Sequence, residues 1–495
     1  MKRAARRNLS VVGAAAVLLG LAALPRLIAI TWGLPQVFNA DAPHEVDMAV
    51  CLAESLRPFS FKNPTFWPTV LAACYGAWFV VWSGFGFLRG AVDFAAKYVF
   101  EPSGFHLIAR LLATLAQLAA FVVVARVERG SGDGRWPYGA ALLAVSPVLV
   151  ELAHSSKSDS LMLFLVAGAT ATALRFQSGG GKAWLMGSAA LAGLACSTRY
   201  TAAPAGLVVP LAWLLRAEGP APFSWLIWAG LVSAAGFALG TPYALIEHAR
   251  FAADWSDYGD LGRLKSHNAA ATARMVLKNL WCFGGEGSLG GAAAIIGVLA
   301  LARKQAKRAL LLLIPVGVYA ALRFEGGASR YLLGAYPALA LLAGEGFTLL
   351  AGASPWRRGL VAMLALGPGL YLSWHYDAEL LRPDTRTQAT AWLRETVPAG
   401  AVILLDQPHT GAMAVPSKAQ CLELAERMEK LGLPHARLYR AMAAKHPGGG
   451  WRIYRIQRTS QAEGEFLDVR PGLDLVRAAR VEWVVTTSYG ADPHR

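Results

Sequence analysis

Long apolar runs alternate with short polar gaps through most of this chain. A helix needs about 20 apolar residues to cross a bilayer. Runs near that length fall at Leu9–Ile30, Phe105–Ala125, Trp136–Ala153, Ser158–Leu174, Ala183–Ser197, Thr201–Leu215, Phe223–Gly240, Leu280–Leu301, Ala309–Leu322, Tyr331–Leu350 and Leu360–Ser373. The pattern predicts an all-α membrane protein with about 11 transmembrane helices. After Ser373 the character changes. Ala401–Leu405 reads as a buried strand, Ser417–Leu431 as an amphipathic helix, and Trp451–Ile456 and Val481–Thr487 as further strands. The expected organisation is a transmembrane domain over 1–376 and a small α/β domain over 377–495.

Composition supports the membrane reading. Of 495 residues, 55% are hydrophobic and 16% charged, against about 25% charged in a soluble chain. The net charge of +15 does not indicate nucleic acid, because the basic residues lie in short clusters between apolar runs. That is the pattern of cytoplasmic loops facing anionic lipid. Five cysteines form no CxxC pair, so neither a disulfide framework nor a zinc finger is indicated.

The charges also assign sides. Lys2, Arg3, Arg6 and Arg7 precede the first span and place the N-terminus in the cytoplasm. The other basic loops, Arg126–Arg135, Arg175–Lys182, Arg303–Arg308 and Arg357–Arg358, fall on the same side if Trp67–Leu88 does not cross. That apolar segment is therefore expected as an interfacial helix in the first outer loop, where its aromatic residues suit the headgroup layer. The α/β domain is then extracytoplasmic. A cleaved signal peptide is the alternative for Leu9–Ile30, but the run continues without a clear small-residue cleavage site.

Charged residues at the mouths of the spans carry the candidate chemistry. Asp41-Ala-Pro-His44-Glu45 follows the first span. On a helix, His44 and Glu45 share a face with Asp41; the set could bind a divalent metal or hold a general base, or Asp41 could simply cap the helix. Asp159, in His154-Ser-Ser-Lys-Ser-Asp159, completes a Ser156–Asp159 capping box. A helix N-terminus also keeps a carboxylate ionised, ready for a metal or a hydroxyl proton. Arg199 and Arg330 read either as snorkelling side chains or as a bidentate phosphate clamp, with Lys157 a weaker candidate for that task. Gly285-Glu-Gly287-Ser-Leu-Gly290 matches GxGxxG but opens an apolar span, not a βαβ unit, and no Walker loop is present.

Taken in order, these pieces resemble the polytopic glycosyltransferases of superfamily C. They resemble most the group with protein O-mannosyltransferases and the aminoarabinose transferase of lipid A. The resemblance runs from about Arg7 to Asp406. It rests on the acidic first loop Phe38–Glu45, Trp67-Pro68, His106-Leu-Ile-Ala-Arg110, Ser155–Asp159, Gly193–Tyr200, Gly240-Thr-Pro-Tyr and Ser329-Arg330-Tyr331 through Pro337. It implies a bacterial inner-membrane enzyme that moves a sugar from a polyprenyl-phosphate donor to a hydroxyl acceptor outside the membrane, inverting the anomeric centre. The family's first-loop Asp, base or metal partner, corresponds to Asp41, and its second-loop Asp to Asp159. The family often has Asp-Glu adjacent; here Ala42 follows Asp41, and Glu45 stands one turn later. A divalent metal held by Asp41, His44, Glu45 and Asp159 belongs to this expectation. The alternatives are a transporter or flippase of lipid-linked sugars using the same carboxylates, and a non-catalytic membrane scaffold.

Overall fold

The computed structural model describes residues 16–39, 41–130, 136–264, 269–322, 329–406, 414–432, 435–456, 466–467, 469 and 472–486. The chain forms two compact units: Met1–Ile30, Ser60–Thr69 and Arg110–Glu379 make the first, and Thr31–Phe59, Val70–Ala109 and Leu380–Arg495 the second. The C-terminal segment thus shares its unit with two stretches of the expected membrane domain.

The first unit is helical. Among the described residues of the whole chain, five helices are long and apolar enough to cross a membrane: Phe66–Gly84, Ser103–Gly130, Asp159–Gln177, Phe223–Gly240 and Ser329–Ala351. The chain is an integral membrane protein. The first of the five helices is the segment expected in the interface, and its length suffices to span. Several of the other expected spans are interrupted. Trp136–Ala153 divides into Tyr138–Ala144 and Pro147–Ala153, because Pro147 has no N–H to continue the first helix. The freed groups are used: the Ser373 hydroxyl donates to the Val145 carbonyl at 2.9 Å, and the Ser146 hydroxyl to that of Phe283 at 2.9 Å. Thr201–Leu215 becomes a 3-10 turn, Tyr200–Leu207, followed by the helix Val208–Leu214. Leu280–Leu301 starts as a helix only at Gly290; Ala269–Trp281 ends before the glycine-rich turn. No strand precedes that turn, so its GxGxxG pattern is a helix–helix corner.

Small residues set how closely these helices pack. A Cβ added at Gly193 would stand 2.0 Å from the Ser233 carbonyl oxygen, which locks Lys182–Thr198 against Phe223–Gly240. Gly297 and Gly346 do the same for Gly290–Lys304 and Tyr336–Ala351, with carbonyl oxygens 1.9 Å from either added Cβ. Lipid is as apolar as leucine, so such close contact is the main attraction between membrane helices.

The second unit holds a four-stranded parallel sheet. Its strands are β1 (Val402–Leu405), β2 (Arg452–Ile456), β3 (Phe466–Leu467) and β4 (Trp483–Val485), in the order β3-β2-β1-β4. Val402 pairs with Arg452 and Ile403 with Trp483. The helices Lys418–Lys430 and His435–Ala444 make the crossover from β1 to β2. Ser417 caps the first of them by accepting from the Gln420 N–H at 3.3 Å. Ile403, Leu405, Leu393, Trp451 and Ile453 form the core beside the sheet.

Candidate active site

His154-Ser-Ser-Lys-Ser-Asp159 folds into a buried loop between Pro147–Ala153 and the helix Asp159–Gln177. Three anchors fix it. The His154 ring bonds the carbonyls of Val150 at 2.9 Å and Ile28 at 2.8 Å. The Ser155 hydroxyl donates to Leu152, and the Trp67 indole N–H donates to the Ser156 carbonyl at 3.2 Å. The Trp67-Pro68 signal of the sequence thus has a local job, which is to hold this loop. The expected capping box does not form. Ser156 has φ +59, outside the extended backbone that an N-cap needs. Ser158 takes the N-cap position and makes no side-chain cap bond.

Asp159 enters the first helical turn fully buried and pairs with Arg199, whose Nε lies 3.2 Å from Oδ1. Arg199 ends the helix Lys182–Thr198 in an extended conformation, φ −152 and ψ 131. It is buried and ion-paired, so it does not snorkel to an interface. Tyr331 stands beside it, with the Arg199 guanidinium carbon 5.8 Å from the ring centre. Arg330, on the 3-10 turn Ser329–Ala335, lies 4.8 Å from the same ring and donates to the Tyr331 hydroxyl at 2.8 Å. The tyrosine face attracts both cations. Lys157 is buried next door. Four expected residues, Lys157, Asp159, Arg199 and Arg330, therefore meet in one unit from three distant parts of the chain.

Sequence reasoning missed three further contributors. Glu151 is within electrostatic reach of Lys157, Arg330 and Asp159. Arg26, fully buried, donates to Gln117 Oε1 at 2.5 Å and to the Ala144 carbonyl at 2.7 Å. Gln117 passes the link to Ser160 at 2.9 Å, immediately after Asp159. The signal was present: Arg26, Gln117 and Glu151 are polar residues inside apolar runs, where polarity is costly and seldom incidental.

The other expected residues lie in the second unit. Asp41 is exposed at the N-cap of the helix Ala42–Ser55 and makes no cap bond through its side chain. The capping role is not realised there either. Its own N–H is held by Asn39 Oδ1 at 3.0 Å. Arg386 fastens the preceding residues: it donates to the Phe38 carbonyl at 3.0 Å, lies 4.1 Å from the Phe38 ring centre, and pairs with Asp384. Burial opposes the Asp384 charge, but the Arg386 bonds win and hold its carboxyl below the usual range. His44 packs edge-on against Phe59 at 5.4 Å, and Phe59 against His435 at 4.9 Å. Glu45 is buried, on the same helix whose start leaves Asp41 exposed. On that helix, burial pushes Asp47 up to about 6, although Tyr98 donates a hydrogen bond to its carboxylate.

Among the described residues no three His, Cys, Asp or Glu side chains are grouped to hold a metal ion. Asp41, His44 and Glu45 do not make such a set, so no step is derived through a metal. Asp406 is buried near β1; His409 lies outside the described residues.

No protein-family model matches the sequence, and no curated protein matches it. Solved structures do. ArnT from Cupriavidus metallidurans bound to undecaprenyl phosphate is 12% identical, with a TM-score of 0.55 over 94% of this chain and 89% of that one. The same protein in the apo state gives 0.48 at 15% identity, over 88% and 75%. The Archaeoglobus fulgidus oligosaccharyltransferase in the apo form gives 0.48 at 14% identity, over 86% and 68%. The motifs anticipated a fold, and that fold is the one found: this chain is built like ArnT.

Proposed function

We propose that this protein transfers a sugar from a polyprenyl-phosphate donor to a hydroxyl acceptor at the extracytoplasmic face of a bacterial inner membrane. The observation that carries the reading is the buried Asp159–Arg199 pair with Arg330 beside it. A chain of the ArnT fold that spends stability on buried charges has a use for them. Removing one partner of such a pair costs about 3–5 kcal/mol.

In the reaction, the acceptor oxygen attacks the anomeric carbon as the bond from that carbon to the phosphate oxygen breaks. Asp41 takes the acceptor's proton, and the polyprenyl phosphate leaves as an anion. Arg330, Arg199 and Lys157 stabilise the charge growing on that phosphate. Asp159 is a positioning residue: it orients Arg199 and keeps the two arginines from repelling each other out of place. Single displacement inverts the anomeric centre.

A transporter reading draws on the interrupted helices, since broken helices line transport sites. Transfer distinguishes the two. Purified protein is incubated with radiolabelled polyprenyl-phosphate sugar and a hydroxyl acceptor. The expected result is label on the acceptor, lost in Asp41→Asn. Full transfer by Asp41→Asn removes Asp41 as the base, and labelled donor that crosses a vesicle membrane with no transfer favours transport.

A further inference from the structure

The helix Asp159–Gln177 has two ends, and only the first belongs to the candidate active site. At the other, about 27 Å away by helical rise, a cavity of about 760 Å³ opens within the helical unit. Five cations line it: Arg126, Arg175, Lys304, Lys307 and Arg308. They come from four helices, Ser103–Gly130, Asp159–Gln177, Gly290–Lys304 and Ala306–Leu322. No carboxylate is among the described lining residues.

Helix dipoles explain only part of this. Arg175 and Lys304 sit in last turns, where a cation is favoured. Lys307 and Arg308 sit in the first turn of Ala306–Leu322, where a cation is disfavoured. Lys307 Nζ donates to the Arg216 carbonyl at 2.8 Å, which leaves a positive charge at a helix start that an anion would balance. A second observation points into the same space. Gln177 is buried at 6% exposure and lines the cavity, and its amide nitrogen has no hydrogen-bond partner among the described residues. A buried donor without an acceptor is costly unless a ligand supplies one.

We propose that this cavity binds the phosphate headgroup of an anionic phospholipid. The wall beside the cations is apolar, with Val127, Leu174 and Leu215, and suits the start of an acyl chain. A free nucleotide would want a cradle of backbone N–H groups, and the donors here are side chains. The charge pattern of the sequence sets this end of the bundle on the cytoplasmic side, where anionic lipid gathers. The inference is independent of the transfer reaction.

The test measures stabilisation of the full-length protein in detergent by added phosphatidylglycerol, phosphatidylcholine or inorganic phosphate. Phosphatidylglycerol should raise the melting temperature, and the other two should not. Arg175→Gln combined with Lys304→Gln, both at exposed positions, should weaken that binding about tenfold, the order expected for two cations near an anionic headgroup. Gln177→Leu should weaken it severalfold, and Arg330→Gln, at the far end, should leave it unchanged. Should the double variant not fold, salt titration of the unaltered protein decides: binding must fall as ionic strength rises. Equal stabilisation by phosphatidylcholine, insensitivity to salt, or undiminished binding by the folded double variant overturns the proposal. Competition by inorganic phosphate as effective as that by lipid also overturns it, since the site would then be a free-anion pocket.

Discussion

Asp159 and Asp41 each stand at the start of a helix, and the two helices treat them differently. Asp159 is fully buried and paired with an arginine from another helix. Asp41 is exposed at an N-cap that its side chain does not use. A buried, paired carboxylate is expensive to protonate or move and is suited to fixing a neighbour in place. An exposed one at a helix start is open to an acceptor, as the proposed base must be. Spacing made the two look equivalent. Burial is what the proposed division between a positioning Asp159 and a proton-accepting Asp41 rests on.

Four measurements would break or sharpen that contrast. The largest effect is expected at Asp159. Asp159→Ala leaves Arg199 buried without its partner and should lower stability by about 3–5 kcal/mol, read as a melting-temperature loss together with lost transfer. Asp159→Glu should recover part of both. Asp41→Asn comes next. It should cut turnover by about 10²–10⁴-fold with the melting temperature unchanged, and a matching stability loss would dissolve the distinction between the two acids.

Asp47 adds a pH test within the Asp41 helix. Burial holds its carboxyl near 6 in the fold, against 3.8 in an open chain. Between those values the folded state holds more protons, so stability should fall as pH rises from about 4 to 6 and level off above. The amplitude is on the order of 3 kcal/mol, and Asp47→Asn should abolish it in melting curves taken across that range. The smallest effect is at Arg330. Arg330→Lys keeps the charge and loses the planar fork, so it should raise the donor KM about tenfold with little change in stability.

Much of this was legible in the chain. Phe223–Gly240 matches its expected bounds, and β1, β2 and β4 fall within the expected strands, because apolar length and β-branched clusters are local signals. Lys157, Asp159, Arg199 and Arg330 were all named from their positions at span ends. Their meeting was not legible, since Tyr331 joins two arginines 131 positions apart (Arg199 and Arg330) and no periodicity encodes that. The broken span at Ser146-Pro147 could have been anticipated from the proline. β3 could not, because two residues carry no pattern. Arg386, which holds the Phe38 carbonyl, was invisible for the same reason as Tyr331: its partner is 348 positions away.

The glycine contacts bear on how such a chain can drift. Gly193 and Gly297 leave no room for even one methyl group, whereas the apolar faces around them accept Leu, Val or Ile with little change. Replacement can therefore proceed across most of the bundle without moving its helices. The backbone trace is held because a handful of crossing points forbid anything larger than hydrogen. The shape of such a protein is recorded in where nothing fits, and an alanine walked through those positions should prise the helices apart sooner than a leucine deleted anywhere else.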